Sequence, residues 1–98
     1  MTSGDDGRDD GRQLQFWENA SRRQELGVLE VEGREWEVHL VVERAARDLH
    51  RGRIAFRRGD EHMLTAPVIV EETDAEVGRR AEALPESMIR QFFVSVSG

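Results

Sequence analysis

The sequence predicts an α+β domain of two layers. It consists of an antiparallel meander of about four strands, a C-terminal helix kinked or broken near Pro85 and packed on one face, and a short N-terminal helix. Three observations lead there. Between Arg34 and Glu71, three apolar runs bounded by turn-forming residues follow one another as strands do. From Thr73 onward the apolar period becomes helical. A chain of 98 residues buries roughly 60–65% of its unfolded surface, enough for one core and not two.

Residues 1–12 contain Asp-Asp-Gly-Arg twice and no large apolar side chain beyond Met1. They cannot repay the entropy of ordering and are expected to form a disordered acidic tail ahead of a single domain spanning 13–98. From Gln13 to Leu26 the spacing of Leu14, Trp17 and Ser21, with Phe16 and Ala20 alongside, suits an amphipathic helix that Gly27 would stop. Val28–Glu32 reads as the first strand, and Glu32-Gly33 as a hairpin turn. Pairing Val31 with Arg34 sets Leu29 opposite Trp36, an aliphatic–aromatic pair that stabilises a sheet.

In the second strand Trp36, Val38, Leu40 and Val42 share the inner face, while Glu35, Glu37, His39, Val41 and Glu43 point outward. After a charged loop from Arg44 to His50, the third strand sends Ile54 and Phe56 inward and Arg51, Arg53, Ala55 and Arg57 outward. The next connection carries a conflict. Gly59-Asp60 suits a two-residue turn with Phe56 opposite Met63, whereas the apolar pattern favours Phe56 opposite Leu64, with Ala66, Val68 and Val70 inward. The second is the expectation, since a one-residue slip exchanges the faces. Pro67 lacks a ladder donor, so this strand belongs on an edge or carries a bulge. Thr73-Asp-Ala-Glu76 is a capping box. The stripe Val77, Ala81, Leu84, Met88 and Phe92 follows, interrupted at Pro85, where a kink or a second helix is expected. Val94–Gly98 reads as a frayed end or an extra strand.

Composition removes several chemistries. There is no cysteine, hence no disulfide, thiolate ligand or thiol nucleophile. The net charge of −6 and pI near 5.0 oppose dedicated binding of duplex nucleic acid. The polar N-terminus and the lack of a long apolar run make a cytoplasmic protein the expectation and a membrane partner unexpected. All 14 basic residues are arginine, a bias attributable to GC-rich coding.

The candidate ligand-binding residues are Arg51, Arg53 and Arg57, with His39 near them. Guanidinium forks on one strand face match phosphate, carboxylate or single-stranded RNA. The competing explanation is surface pairing with Glu37 and Glu43 on the neighbouring strand. No metal is expected, because His50 and His62 fall at opposite ends of the third strand, about 23 Å apart. No cofactor is expected, since the glycines form no phosphate loop. Glu37 with His39 supplies titratable groups without a pocket to shift them, so an enzyme is not expected. Val41, Ala55 and Ile69, placed among charges on the open face, are candidate interface residues. The expected function is a non-catalytic protein-interaction or regulatory module, with a homodimer through the open face or edge strands as one form. The alternative is anion or RNA binding through the arginine stripe.

Overall fold

A computed structural model describes residues 20–98. The expected tail, and the expected helix as far as residue 19, lie outside the described residues. The chain runs β1 (Arg22–Val31), β2 (Arg34–Ala46), β3 (Leu49–Arg58), β4 (Glu61–Leu64), β5 (Ile69–Glu71), α1 (Asp74–Glu82) and α2 (Glu86–Ser97). The strands form one antiparallel sheet in the order β1-β2-β3-β4, and β5 pairs with β3 beyond β4. No helix among the described residues is long and apolar enough to cross a membrane.

Arg22–Leu26, expected to be helical, belongs to β1. Pairing of Arg22 with Val42 and Glu25 with His39 continues the ladder past the expected stop. Gly27, at φ 146°, marks a register shift that leaves Leu26 as the extra residue of a bulge. Ladder bonds to β2 thus override a helical spacing too short to stand alone. The hairpin follows the expected register, with Val31 opposite Arg34 and Leu29 opposite Trp36. Its turn residues have φ 54° at Glu32 and 80° at Gly33, the doubly left-handed pattern that matches strand twist.

The expected loop from Arg44 to His50 is largely ladder, since Arg44 pairs with His50 and Ala46 with Leu49 across a bulge. Arg44 helps close the turn by donating to the carbonyls of Ala46 (3.3 Å) and Arg47 (3.4 Å). Solvated backbone can continue a ladder where side-chain patterning gives no sign of one.

At the next connection the turn chemistry wins. Gly59 adopts φ 60°, Phe56 faces Met63, and the expected partner Leu64 faces Ala55 instead. Between Phe56–Met63 and Gly52–Ile69 one strand uses four residues and the other six. The surplus is even, so parity is kept: Ile69 is buried and Val70 is 48% exposed, the reverse of the expectation. Thr65 bridges the interruption. Its N–H donates to the Ile54 carbonyl (3.0 Å), its Oγ1 accepts from the Ile54 N–H (3.0 Å), and its hydroxyl donates to the Ala66 carbonyl (2.7 Å). Pro67 sits in this gap on the sheet edge, where no donor is required.

Thr73 caps α1, with its Oγ1 accepting from the Glu76 N–H at 3.1 Å. α1 ends at Glu82, and α2 begins after Pro85, whose backbone is extended (φ −72°, ψ 154°). The nonhelical residues between them reset the helical phase. Beyond the break the buried positions are Ile89 and Phe93, while Met88 of the expected stripe is 39% exposed and Phe92 is partly buried. The last residues, expected frayed or extended, are helical to Ser97. Val77, Ala81, Ile89 and Phe93 join Leu29, Trp36, Val38, Leu40, Val42, Ile54, Phe56 and Ile69 in one core. Phe93 meets Trp36 and Phe56 edge-on, with ring centroids 5.1 and 5.2 Å apart.

Candidate functional site

The outer face of the sheet carries the arginines, and its ladder partners decide their state. Glu43 lies opposite Arg51, Val41 opposite Arg53, and Glu37 opposite Arg57. Arg51 Nη2 and Arg53 Nη2 approach the same Glu43 oxygen at 2.9 and 3.3 Å, and Arg53 also donates to the Thr65 carbonyl at 3.4 Å. The forks expected to hold an external oxyanion already engage an internal one. Glu43 is only 20% exposed, so its pairing is partly shielded from solvent.

Arg57 stands further along the face, with Arg23, Gln24, Glu25 and His39 around a shallow recess of about 250 Å³. His39 Nε2 donates to Glu37 Oε1 at 3.1 Å. That hydrogen bond is the main reason the Glu37 carboxyl is held below its ordinary value of 4.5; desolvation opposes the shift, while the charges of His39 and Arg57 reinforce it. Glu37 remains 53% exposed, so the pair is a solvated surface interaction. His50 Nδ1 lies 3.1 Å from the Glu72 carbonyl, and no set of three metal-ligating side chains occurs among the described residues.

The expected aliphatic patch does not stand open. Val41 and Ala55 point outward as their parity requires, yet they are 0% and 1% exposed and form a small cluster with Ala20 and Leu64. Ile69, 3% exposed, belongs to the main core, because the β4–β5 register turns it inward. Alternation identifies a face but not what covers it.

A cleft that the sequence reading missed lies between β1 and the junction of the helices. The bulge at Leu26-Gly27 bends the strand at one wall, and the break at Pro85 opens the other. The resulting hollow of about 390 Å³ has Leu26, Leu29, Val38, Ala81, Leu84 and Ile89 along its interior. Glu25, Glu82 and Glu86 also line it. Gln24 Nε2 donates to Glu82 at 2.5 Å, an interaction that positions the carboxylate without neutralising it. Glu86 accepts from Arg90 Nη2 at 2.7 Å, and Arg90 Nη1 donates to the Glu30 carbonyl at 2.8 Å.

That last bond reveals the state of the adjoining edge. In a two-residue hairpin the residues flanking the turn exchange both backbone bonds, and pairs alternate thereafter. Val31–Arg34 and Leu29–Trp36 are therefore bonded pairs, while Glu30 and Val28 turn their N–H and C=O groups away from β2. Among the described residues β2 is the only strand beside β1, and Val28 is 60% exposed. The Gly27 bulge and the Pro85 break are visible in the sequence, but their meeting across a cleft is a tertiary fact. No protein-family model, curated protein or solved structure matches the chain.

Proposed function

We propose that the chain is a small, non-catalytic protein-interaction module that receives a partner polypeptide along the open edge of β1. The observation that carries this reading is the side-by-side placement of an outward-turned backbone at Val28 and an apolar hollow of about 390 Å³. An edge strand supplies main-chain bonds to an added strand, and an adjoining hollow reads alternate side chains. The other edge is poorly suited, since β4 and β5 have four and three residues and Pro67 lies in the gap between them.

Several observations weigh against the competing readings. Phosphate or RNA at Arg51 and Arg53 must displace Glu43, which both arginines already engage. Glu37, the carboxylate of the pair with His39, is 53% exposed and lacks the burial that tunes a general acid or base. Within β1 Arg22 and Arg23 balance Glu25 and Glu30, so charge along the strand does not itself oppose pairing of two β1 edges. The carboxylates of Glu82 and Glu86 beside the hollow favour a basic segment, so the proposed partner is a different polypeptide.

Light scattering at high concentration is expected to give a mass of 11.2 kDa. A photoreactive benzophenone side chain introduced at Val28 should crosslink a polypeptide in extract that the same group at Arg57 does not. Equal labelling from both positions would contradict edge docking. An RNA mobility shift lost on Arg51→Ala would move the function to the arginine face.

A further inference from the structure

We infer that the β1 edge selects an extended basic–apolar segment, with one aliphatic side chain flanked two residues away on each side by Arg or Lys. The inference rests on the edge-docking reading and specifies the chemistry of its partner. A strand laid against β1 exchanges backbone bonds with Val28 and sends every second side chain toward the helices. Those side chains enter the hollow, where Leu29, Leu84 and Ile89 offer apolar contact. Residues at i and i+2 on a strand stand about 7 Å apart on one face, so basic neighbours flank the aliphatic group.

Charge sets the sign of selection. Glu82 at the end of α1 and Glu86 at the start of α2 line the hollow on its helix side, and no arginine does. No ion pair among the described residues engages Glu82; Arg90 engages Glu86. Arg22 lies against Gly78, one turn back from Glu82, and is not among the residues lining the hollow. An incoming Arg or Lys head group meets carboxylates there while its stem covers apolar surface. An acidic segment meets repulsion at the same positions.

The test is an amide NMR titration of the full chain with two acetylated, amidated heptapeptides. One has the order Thr-Arg-Thr-Val-Thr-Arg-Thr, and the other carries Glu in place of each Arg. The arginine peptide should shift the amides of Glu25–Leu29 and of the helix junction, and should bind about tenfold more tightly than the glutamate peptide. Its affinity should fall as salt rises. The double variant Glu82→Gln, Glu86→Gln should bring the two peptides within about threefold of each other, the change expected when weak charge pairs are removed. Val28→Pro removes an outward N–H and should abolish binding by the arginine peptide. Equal affinity of both peptides for the unaltered protein overturns charge selection and leaves edge docking standing. No shift with either peptide overturns both. Unchanged binding by the double variant, folded as shown by its spectrum, overturns the assignment of the carboxylates even where Val28→Pro fails to fold.

Discussion

Gly52→Ala tests how closely α1 is seated on the sheet. Gly52 is buried on β3 opposite Val42 and Ile69. A Cβ built there would stand 2.6 Å from Val77 Cγ1 and 3.1 Å from Leu40 Cδ1. Val77 is fully buried, and a β-branched side chain in a helix has little rotamer freedom. The helix must therefore move outward. Overpacking of this type costs about 1–3 kcal/mol, and replacing glycine by alanine within a strand recovers about 0.5–1 kcal/mol. The net loss should be near 1 kcal/mol, a fall of roughly 4–8 °C in Tm for a domain this size. Val77→Ala alone removes two methyl groups, about 1.5 kcal/mol before any cavity penalty. In the double variant the new methyl occupies vacated space, so urea denaturation should show a loss smaller than the sum by at least about 0.5 kcal/mol. A neutral Gly52→Ala, or strictly additive losses, would refute this seating of α1.

Three further outcomes follow from the same geometry. Thr65→Val removes the acceptor for the buried Ile54 N–H and should cost about 1–3 kcal/mol by thermal denaturation, whereas Thr65→Ser should retain most of the stability; equal losses would contradict the bridging role. Glu32→Asn should stabilise the hairpin by about 0.5–1 kcal/mol, because asparagine tolerates the left-handed φ of 54° better than glutamate; chemical denaturation showing a loss would count against the turn assignment. Carboxyl NMR should place Glu37 below 4.5 and higher in His39→Leu. A depressed folded value means that the pair stabilises the fold above the ordinary carboxylate value, and that this contribution disappears as pH falls through the folded value. The stability gap between the protein and His39→Leu should therefore shrink as pH falls below 4.5; a gap that grows in that range would reverse the sign.

The central strands were legible because one face of each had to be buried. Trp36, Val38, Leu40 and Val42 alternate strictly, and the Glu32-Gly33 turn independently requires the same register. Where two signals disagreed, at Gly59-Asp60, the apolar pattern misled. The resolution is a two-residue insertion in which Thr65 supplies a side-chain acceptor, something alternation cannot express. Arg22–Leu26 read as the end of a helix on the spacing of Leu14, Trp17 and Ser21, but acquired a ladder partner that no local rule reveals. The helix stripe was legible through Ala81 and failed at Met88, because the break at Pro85 changes the phase by an amount the sequence does not state.

The arginine stripe was legible as a row, and Glu43 as a partner on the opposing strand. That one carboxylate oxygen engages both Arg51 and Arg53 required coordinates. Exposure was the least legible property. Val41 and Ala55 have outward parity and are nevertheless buried, while the open edge lies on a strand whose first half read as helix.

Amide hydrogen exchange along β1 of the full chain tests the open edge most directly. Leu29, bonded to Trp36 across the hairpin, should exchange slowly, and its neighbour Val28 should exchange rapidly until the arginine peptide is added, then slow markedly. A Val28 amide as protected as that of Leu29 in the free protein would mean that the edge is already covered, and edge docking would fail with it.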